Sequence, residues 1–246
     1  MNSISTYILL IALTSIIIGC THKTEEKRDN AIFMNASQSG SVLQQDLYYP
    51  RIESFLESYE QIIKRYANRY GFDWRLILAV MNQESRFRIQ AVSPMGAYGL
   101  MQIMPATGRE ISDTLLIDNV SHPENNIAAG VYYLWWLYTM FHPDDEMRLS
   151  GANETDRLQL ALAAYNGGPS RVRDAQQLAR YLNLDPYRWV HIKPLLQMLS
   201  RRYYTLHQYV WDNGRPSGGY FNGWPETINY VESVMEYYLY YKDIYE

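Results

Sequence analysis

Residues 73–85 read Asp-Trp-Arg-Leu-Ile-Leu-Ala-Val-Met-Asn-Gln-Glu-Ser, and the rest of the chain is best read outward from them. Asp73 suits a helix N-cap, because its short carboxylate accepts a hydrogen bond from a backbone N–H that the first turn leaves free. Leu76, Ile77, Leu78, Ala79 and Val80 follow without a polar break, so the helix expected from Trp74 through Met81 is apolar nearly all round and belongs at the centre of a fold. Glu84 comes directly after this run, at the C-terminal end of the helix. Burial disfavours its charged form, as does the negative end of the helix dipole, so both raise its pKa. A carboxylic acid still protonated near neutral pH is what a general acid requires. Position alone favours a plainer arrangement, with Glu84 turned outward and paired with Arg86 or Arg88.

On either side of this segment the pattern stays helical. Ile52, Phe55, Leu56, Tyr59, Ile62, Ile63, Tyr66 and Tyr70 fall at steps of three and four, and Gly71 ends that helix. Further helices are expected at Ile127 to Phe141, Thr155 to Tyr165, Ser170 to Leu182, Ile192 to His207 and Thr227 to Tyr245, with prolines and Gly167-Gly168-Pro169 as punctuation. No alternating strand or internal repeat occurs, so the fold class is mainly α. Tyr132, Tyr133, Trp135, Trp136 and Tyr138 crowd one helix and are expected to pack. Gln208 to Pro225 form a long loop, expected to border a binding groove, with Trp211 and Trp224 as its stacking candidates.

Hydrophobic residues make up 47% of the 246, enough for a sizeable core, and the net charge of −4 offers no basic footprint for nucleic acid. The five histidines lack zinc-site spacing and no Gly-rich phosphate loop occurs, so neither metal nor cofactor is expected. The single cysteine, Cys20, excludes an intramolecular disulfide. It follows an apolar run, Tyr7 to Ile18, that is short of the roughly 20 residues of a spanning helix but suits a secretory signal. Ile17-Ile18-Gly19-Cys20 resembles the bacterial lipobox, which implies a signal peptide over residues 1–19 and a lipid on Cys20 that anchors the chain to the membrane. Thr21 lacks the aspartate associated in some bacteria with inner-membrane retention, which leans toward the outer membrane, facing the periplasm. Residues 20–50 are polar and aperiodic and read as a flexible tether, leaving residues 51–246 as the folded domain.

Four short motifs occur in order: Glu84-Ser85, Gly99-Leu100-Met101-Gln102, Ala164-Tyr165-Asn166, and Tyr230 within Glu226-Thr227-Ile228-Asn229-Tyr230-Val231. Together they resemble the lysozyme-like lytic transglycosylases, the family of the soluble lytic transglycosylase catalytic domain, with goose-type lysozyme as a more distant relative. The resemblance spans about residues 60 to 242 and implies an all-α, lysozyme-like domain with a groove for peptidoglycan glycan strands. It implies that Glu84 protonates the glycosidic oxygen between N-acetylmuramic acid and N-acetylglucosamine and then serves as base. The muramyl C6 hydroxyl would attack its own C1, giving a 1,6-anhydro end without a positioned water. Tyr230 would lie beside Glu84 and orient it.

Ser85, Gly99, Met101, Gln102, Tyr165 and Asn166 are the candidate substrate contacts. Gly99 permits close approach to backbone, Gln102 offers a donor and an acceptor, Tyr165 an aromatic face, and Asn166 a partner for an acetamido group. Ser85 reads as well as a helix-end hydroxyl, and Met101 nearly as well as core. Two other functions fit the same groove: a muramidase using water at this bond, and a catalytically silent peptidoglycan-binding lipoprotein.

Overall fold

A computed structural model of the chain describes residues 49–141 and 151–245. The expected signal segment, Cys20 and nearly all of the expected tether lie outside the described residues. The chain divides into two units, Met1–Ser54 and Phe55–Glu246. Nine α-helices are described: α1 Tyr49–Arg69, α2 Trp74–Ser85, α3 Pro105–Leu115, α4 Pro123–Met140, α5 Glu154–Gly167, α6 Pro169–Tyr181, α7 Trp189–Met198, α8 Tyr204–Val210 and α9 Trp224–Ile244. The described residues contain no β-strand, only isolated bridges of Val92 with Tyr98 and Tyr98 with Ile103. No described helix is long and apolar enough to cross a membrane.

Helix α2 forms as its sequence predicts. Asp73 accepts the N–H of Arg75 at 3.0 Å, and Ile77, Leu78, Ala79, Val80 and Met81 are fully buried. Helix α9 packs against it. The Tyr238 hydroxyl donates to Asp73 at 3.1 Å and Arg75 donates to the Tyr245 carbonyl at 2.7 Å. Asn82 donates to the Tyr241 hydroxyl at 2.9 Å, and Tyr230 reaches the far end of α2 at Glu84. The two helices therefore run antiparallel, joined by side chains whose burial would be costly without these partners.

Small residues on α4 let the 98–102 turn approach. A Cβ on Gly130 would stand 2.4 Å from the Met101 Cβ, and one on Gly99 would stand 2.6 Å from the Asn126 side chain. Buried Asn126 fills that space and pins the turn: its Oδ1 accepts the Met101 N–H at 2.8 Å and its Nδ2 donates to the Tyr98 carbonyl at 3.0 Å. Gly99, at φ +82, thus serves contact between turn and helix.

Several sequence expectations need correction. Helix α3 was not foreseen, because Pro105 reads as a break yet sits where a helix begins and no N–H is needed. The helix expected over Ile192 to His207 is broken after Met198. There the Leu199 carbonyl accepts the Phe221 N–H at 3.1 Å and His207 Nε2 bonds the Met198 carbonyl at 2.7 Å, so these acceptors serve distant partners instead of a further helical turn. Trp211 is buried, its ring edge-on to His207 with centroids 5.4 Å apart, and the loop after it folds onto α6, where Asp174 accepts the N–H groups of Ser217 and Gly218. Four of the five aromatic residues on this helix pack inward as expected: Tyr132 and Trp135 meet Tyr70, Tyr138 meets Phe72, and Tyr133 meets Tyr165, whereas Trp136 stacks on Tyr133 and stays 40% exposed.

Replacing Asn126 by Ala strands the Met101 N–H in the interior and leaves the Tyr98 carbonyl with the Ile103 N–H alone, and should destabilise the fold by about 2 kcal/mol in urea unfolding. An unchanged midpoint would contradict the pinning role given to this side chain.

Candidate functional site

A cavity of about 540 Å³ opens where α2, the 93–102 segment, α5 and α9 meet. Gln83 and Glu84 reach it from the end of α2, and Ser93 and Gln102 from the segment that follows. Asn166 comes from the end of α5, and Glu226, Asn229 and Tyr230 from the first two turns of α9. Helix α2 stops here because Arg86 and Phe87 adopt left-handed backbone at φ 51 and 59, and the Arg86 N–H closes onto the Asn82 carbonyl. The chain is turned away one residue after Ser85, so Glu84 is left facing the cavity.

Glu84 does not take the outward arrangement. Arg86 and Arg88 are exposed, Arg88 donates to the Ser85 carbonyl at 3.0 Å, and no ion pair of Glu84 occurs among the described residues. Its side chain is half-buried on the cavity wall, and desolvation by the surrounding protein pushes its pKa up to about 7. The Tyr230 hydroxyl, donating to Oε1 at 2.7 Å, pulls it down in part, and the charge of Glu226 pushes it up again. Burial also drives the Tyr230 and Tyr165 phenols well above their ordinary value, so both stay neutral donors. With Oε1 occupied by Tyr230, the proton of neutral Glu84 belongs on Oε2.

The sequence candidates divide into cavity wall and support. Glu84, Gln102, Asn166 and Tyr230 line the cavity; Ser85, Gly99, Met101 and Tyr165 do not. The Ser85 hydroxyl returns to the Met81 carbonyl at 3.1 Å inside the helix. Met101 is fully buried, and its carbonyl accepts the Tyr165 hydroxyl at 2.8 Å, so tyrosine and methionine brace the turn from behind. Gln102 narrows from donor and acceptor to acceptor, because its amide nitrogen is committed to the carbonyls of Ala91 at 3.1 Å and Gly99 at 2.9 Å. Asn166 is the converse: its Oδ1 accepts the Thr227 hydroxyl at 2.7 Å, which leaves its N–H groups to donate.

Gln83, Ser93, Glu226 and Asn229 were missed. Glu226, Asn229 and Tyr230 lie three and four apart on one helix face, so that periodicity was the available signal. Among the described residues no group of His, Cys, Asp and Glu is placed to hold a metal ion.

The described geometry is that of an α-helical domain with one poorly solvated carboxyl in a polar cleft. Residues 61–185 match the model of the transglycosylase SLT domain family, and the chain belongs to that family. It is 38% identical over 192 residues to the membrane-bound lytic murein transglycosylase F of Desulfosudis oleivorans, a match covering 78% of this chain and 38% of that protein. To the protein of the same name from Hahella chejuensis it is 32% identical, covering 78% and 34% respectively. The chain thus spans little more than a third of the length of these relatives. A solved complex of the 70-kDa soluble lytic transglycosylase with bulgecin A superposes with a TM-score of 0.50 at 25% identity, covering 77% of this chain and 25% of that one.

The raised pKa of Glu84 has a thermodynamic signature. Between the ordinary glutamate value of 4.5 and about 7, the folded state binds more protons than the unfolded state, so this residue's contribution to stability falls as pH rises through that window. Glu84→Gln removes the titration. The stability of the parent relative to this variant should fall across the window and level off on both sides in urea unfolding at a series of pH values. A flat difference would place the carboxyl in water.

Proposed function

We propose that the chain is a peptidoglycan lytic transglycosylase that cuts the β-1,4 bond between N-acetylmuramic acid and N-acetylglucosamine and leaves a 1,6-anhydromuramyl end. The observation that carries this reading is Glu84, held in the cleft with a pKa of about 7 and with Tyr230 on one of its oxygens. Near neutral pH such a group is present both as acid and as base. Protonated Glu84 gives its proton to the glycosidic oxygen as the bond to the muramyl C1 breaks. The C6 hydroxyl of the same sugar then bonds to C1, and its proton returns to Glu84, so no water is consumed. Tyr230 keeps Glu84 oriented through both steps, and its hydroxyl stabilises the carboxylate formed between them. Asn166 as donor and Gln102 as acceptor complement the carbonyl and N–H of an acetamido group.

The relatives' name, membrane-bound lytic murein transglycosylase, supports an envelope protein acting on peptidoglycan. The finer reading is a periplasm-facing lipoprotein held at the outer membrane through a lipid on Cys20, with residues 20–50 as its tether. The lipobox-like Ile-Ile-Gly-Cys supports it.

Glu226 favours a second reading. A second carboxylate on the same cleft is what a hydrolase uses to activate water, which would make the protein a muramidase. The product mass separates the two. Digested sacculi should yield anhydro ends, lighter by one water than the reducing ends of hydrolysis; reducing ends alone would assign the muramidase. Glu84→Gln should lower turnover about a thousandfold with the fold intact, since no proton is left to give. Undiminished cleavage by that variant would move the acid elsewhere.

A further inference from the structure

Away from the cleft the charge of the chain is uneven. Residues 169–215 carry eight Lys or Arg and three Asp or Glu, an excess of five positive charges within a chain of net charge −4. One of the three acids, Asp174, is turned inward to the Ser217 and Gly218 N–H groups and is buried. Helix α6 presents Arg173, Gln177 and Tyr181 at intervals of four, hence on one face, over about 12 Å of its length. All three are exposed, Tyr181 by 48%. Gln177 Nε2 donates to the Val210 carbonyl at 3.0 Å, which seats the end of α8 beside this face, and Tyr209, the preceding residue, is 74% exposed. Tyr204, at the start of α8, is 53% exposed and follows exposed Arg201 and Arg202.

Large rings left open to water mark contact surfaces when they cluster. Here they are interleaved with guanidinium groups and a side-chain amide, and Val190 is the only large exposed aliphatic residue described in the span. A surface that enters lipid leads with Leu, Phe or Trp. A phenol ring, by contrast, offers its flat face to the C–H face of a sugar, and a guanidinium pairs bidentately with a carboxylate. A net positive, tyrosine-bearing face in an acidic chain complements a polymer that combines sugar rings with carboxylates.

We propose that the α6–α8 face is a second docking surface, taking a carboxylate-bearing glycan strand at a distance from the bond being cut. The inference rests on reading the cleft as a peptidoglycan site, and Arg173, Tyr181 and Tyr209 do not line that cleft. Two attachments to one polymer raise the effective concentration of each segment at its own site, so sacculi are held more tightly than the cleft alone would hold them.

The test compares the full chain with the triple variant Arg173→Glu, Tyr181→Ala, Tyr209→Ala, and with Arg173→Glu and Tyr209→Ala singly. Each is measured by cosedimentation with purified sacculi and by turnover of a short soluble glycan that occupies only the cleft. The triple variant should lose about tenfold in affinity for sacculi, and each single variant part of that. Short-glycan turnover and helical circular dichroism should stay within about twofold of the parent. Added salt should weaken the parent's binding more than the variant's. Unchanged sacculus binding, or an equal loss on the short glycan, overturns the proposal. So does loss of binding to phosphatidylglycerol vesicles with sacculus binding kept, which would make this a membrane face. A parent that binds sacculi through this face yet cuts neither substrate supports the docking surface and sinks the reading of the cleft instead.

Discussion

A poorly solvated carboxyl on a cleft wall at the end of the most buried helix is the constraint on which the rest of the structure depends. Water cannot solvate Glu84 fully, so its charge state is set by what protein places around it. Helix α2 holds it there by being apolar on every side up to Met81, and α9 meets it by running antiparallel along α2 with Tyr238, Tyr241 and Tyr230 bonded to Asp73, Asn82 and Glu84. The same packing that makes the core therefore delivers the phenol to Oε1. Moving α9 relative to α2 would break structural bonds and site geometry together.

The cleft is otherwise built from side chains with half their hydrogen-bonding capacity already spent. The amide nitrogen of Gln102 is spent on the Ala91 and Gly99 carbonyls, and the oxygen of Asn166 on Thr227. Each side chain is fixed by the bonds it has made and presents one kind of atom to a ligand. Behind them Asn126, Gly99, Gly130 and Met101 set the turn that carries Gln102, whose φ of 45 is sustained by that surrounding contact.

What the sequence revealed was what local physics decides. The apolar run after Asp73 fixed α2 with Glu84 at its end, although position alone favoured an outward side chain there and only the motif resemblance made Glu84 the acid. The motif resemblance then brought Gln102, Asn166 and Tyr230 to one place, where the cleft has them. The rest depended on tertiary choices. Ser85, Met101 and Tyr165 stand beside cleft residues in sequence yet bond into the interior, because one residue along a helix or turn points elsewhere. Trp211 looked like a loop aromatic until His207, four residues before it, proved to be its packing partner. The break after Met198 depends on Phe221, distant in sequence, taking the Leu199 carbonyl. Pro105 misled because one residue type both ends helices and begins them.

Acid–base chemistry in this cleft depends most directly on the protonation state of one group. With glutamate labelled by carbon-13 at its side-chain carboxyl, the Glu84 resonance, assigned by its loss in Glu84→Gln, can be followed against pH by NMR. A midpoint near 7 is predicted, set by burial against the opposing bond from Tyr230, and Tyr230→Phe should raise it further by removing that bond. A midpoint near the ordinary glutamate value of 4.5, unmoved in Tyr230→Phe, would contradict it.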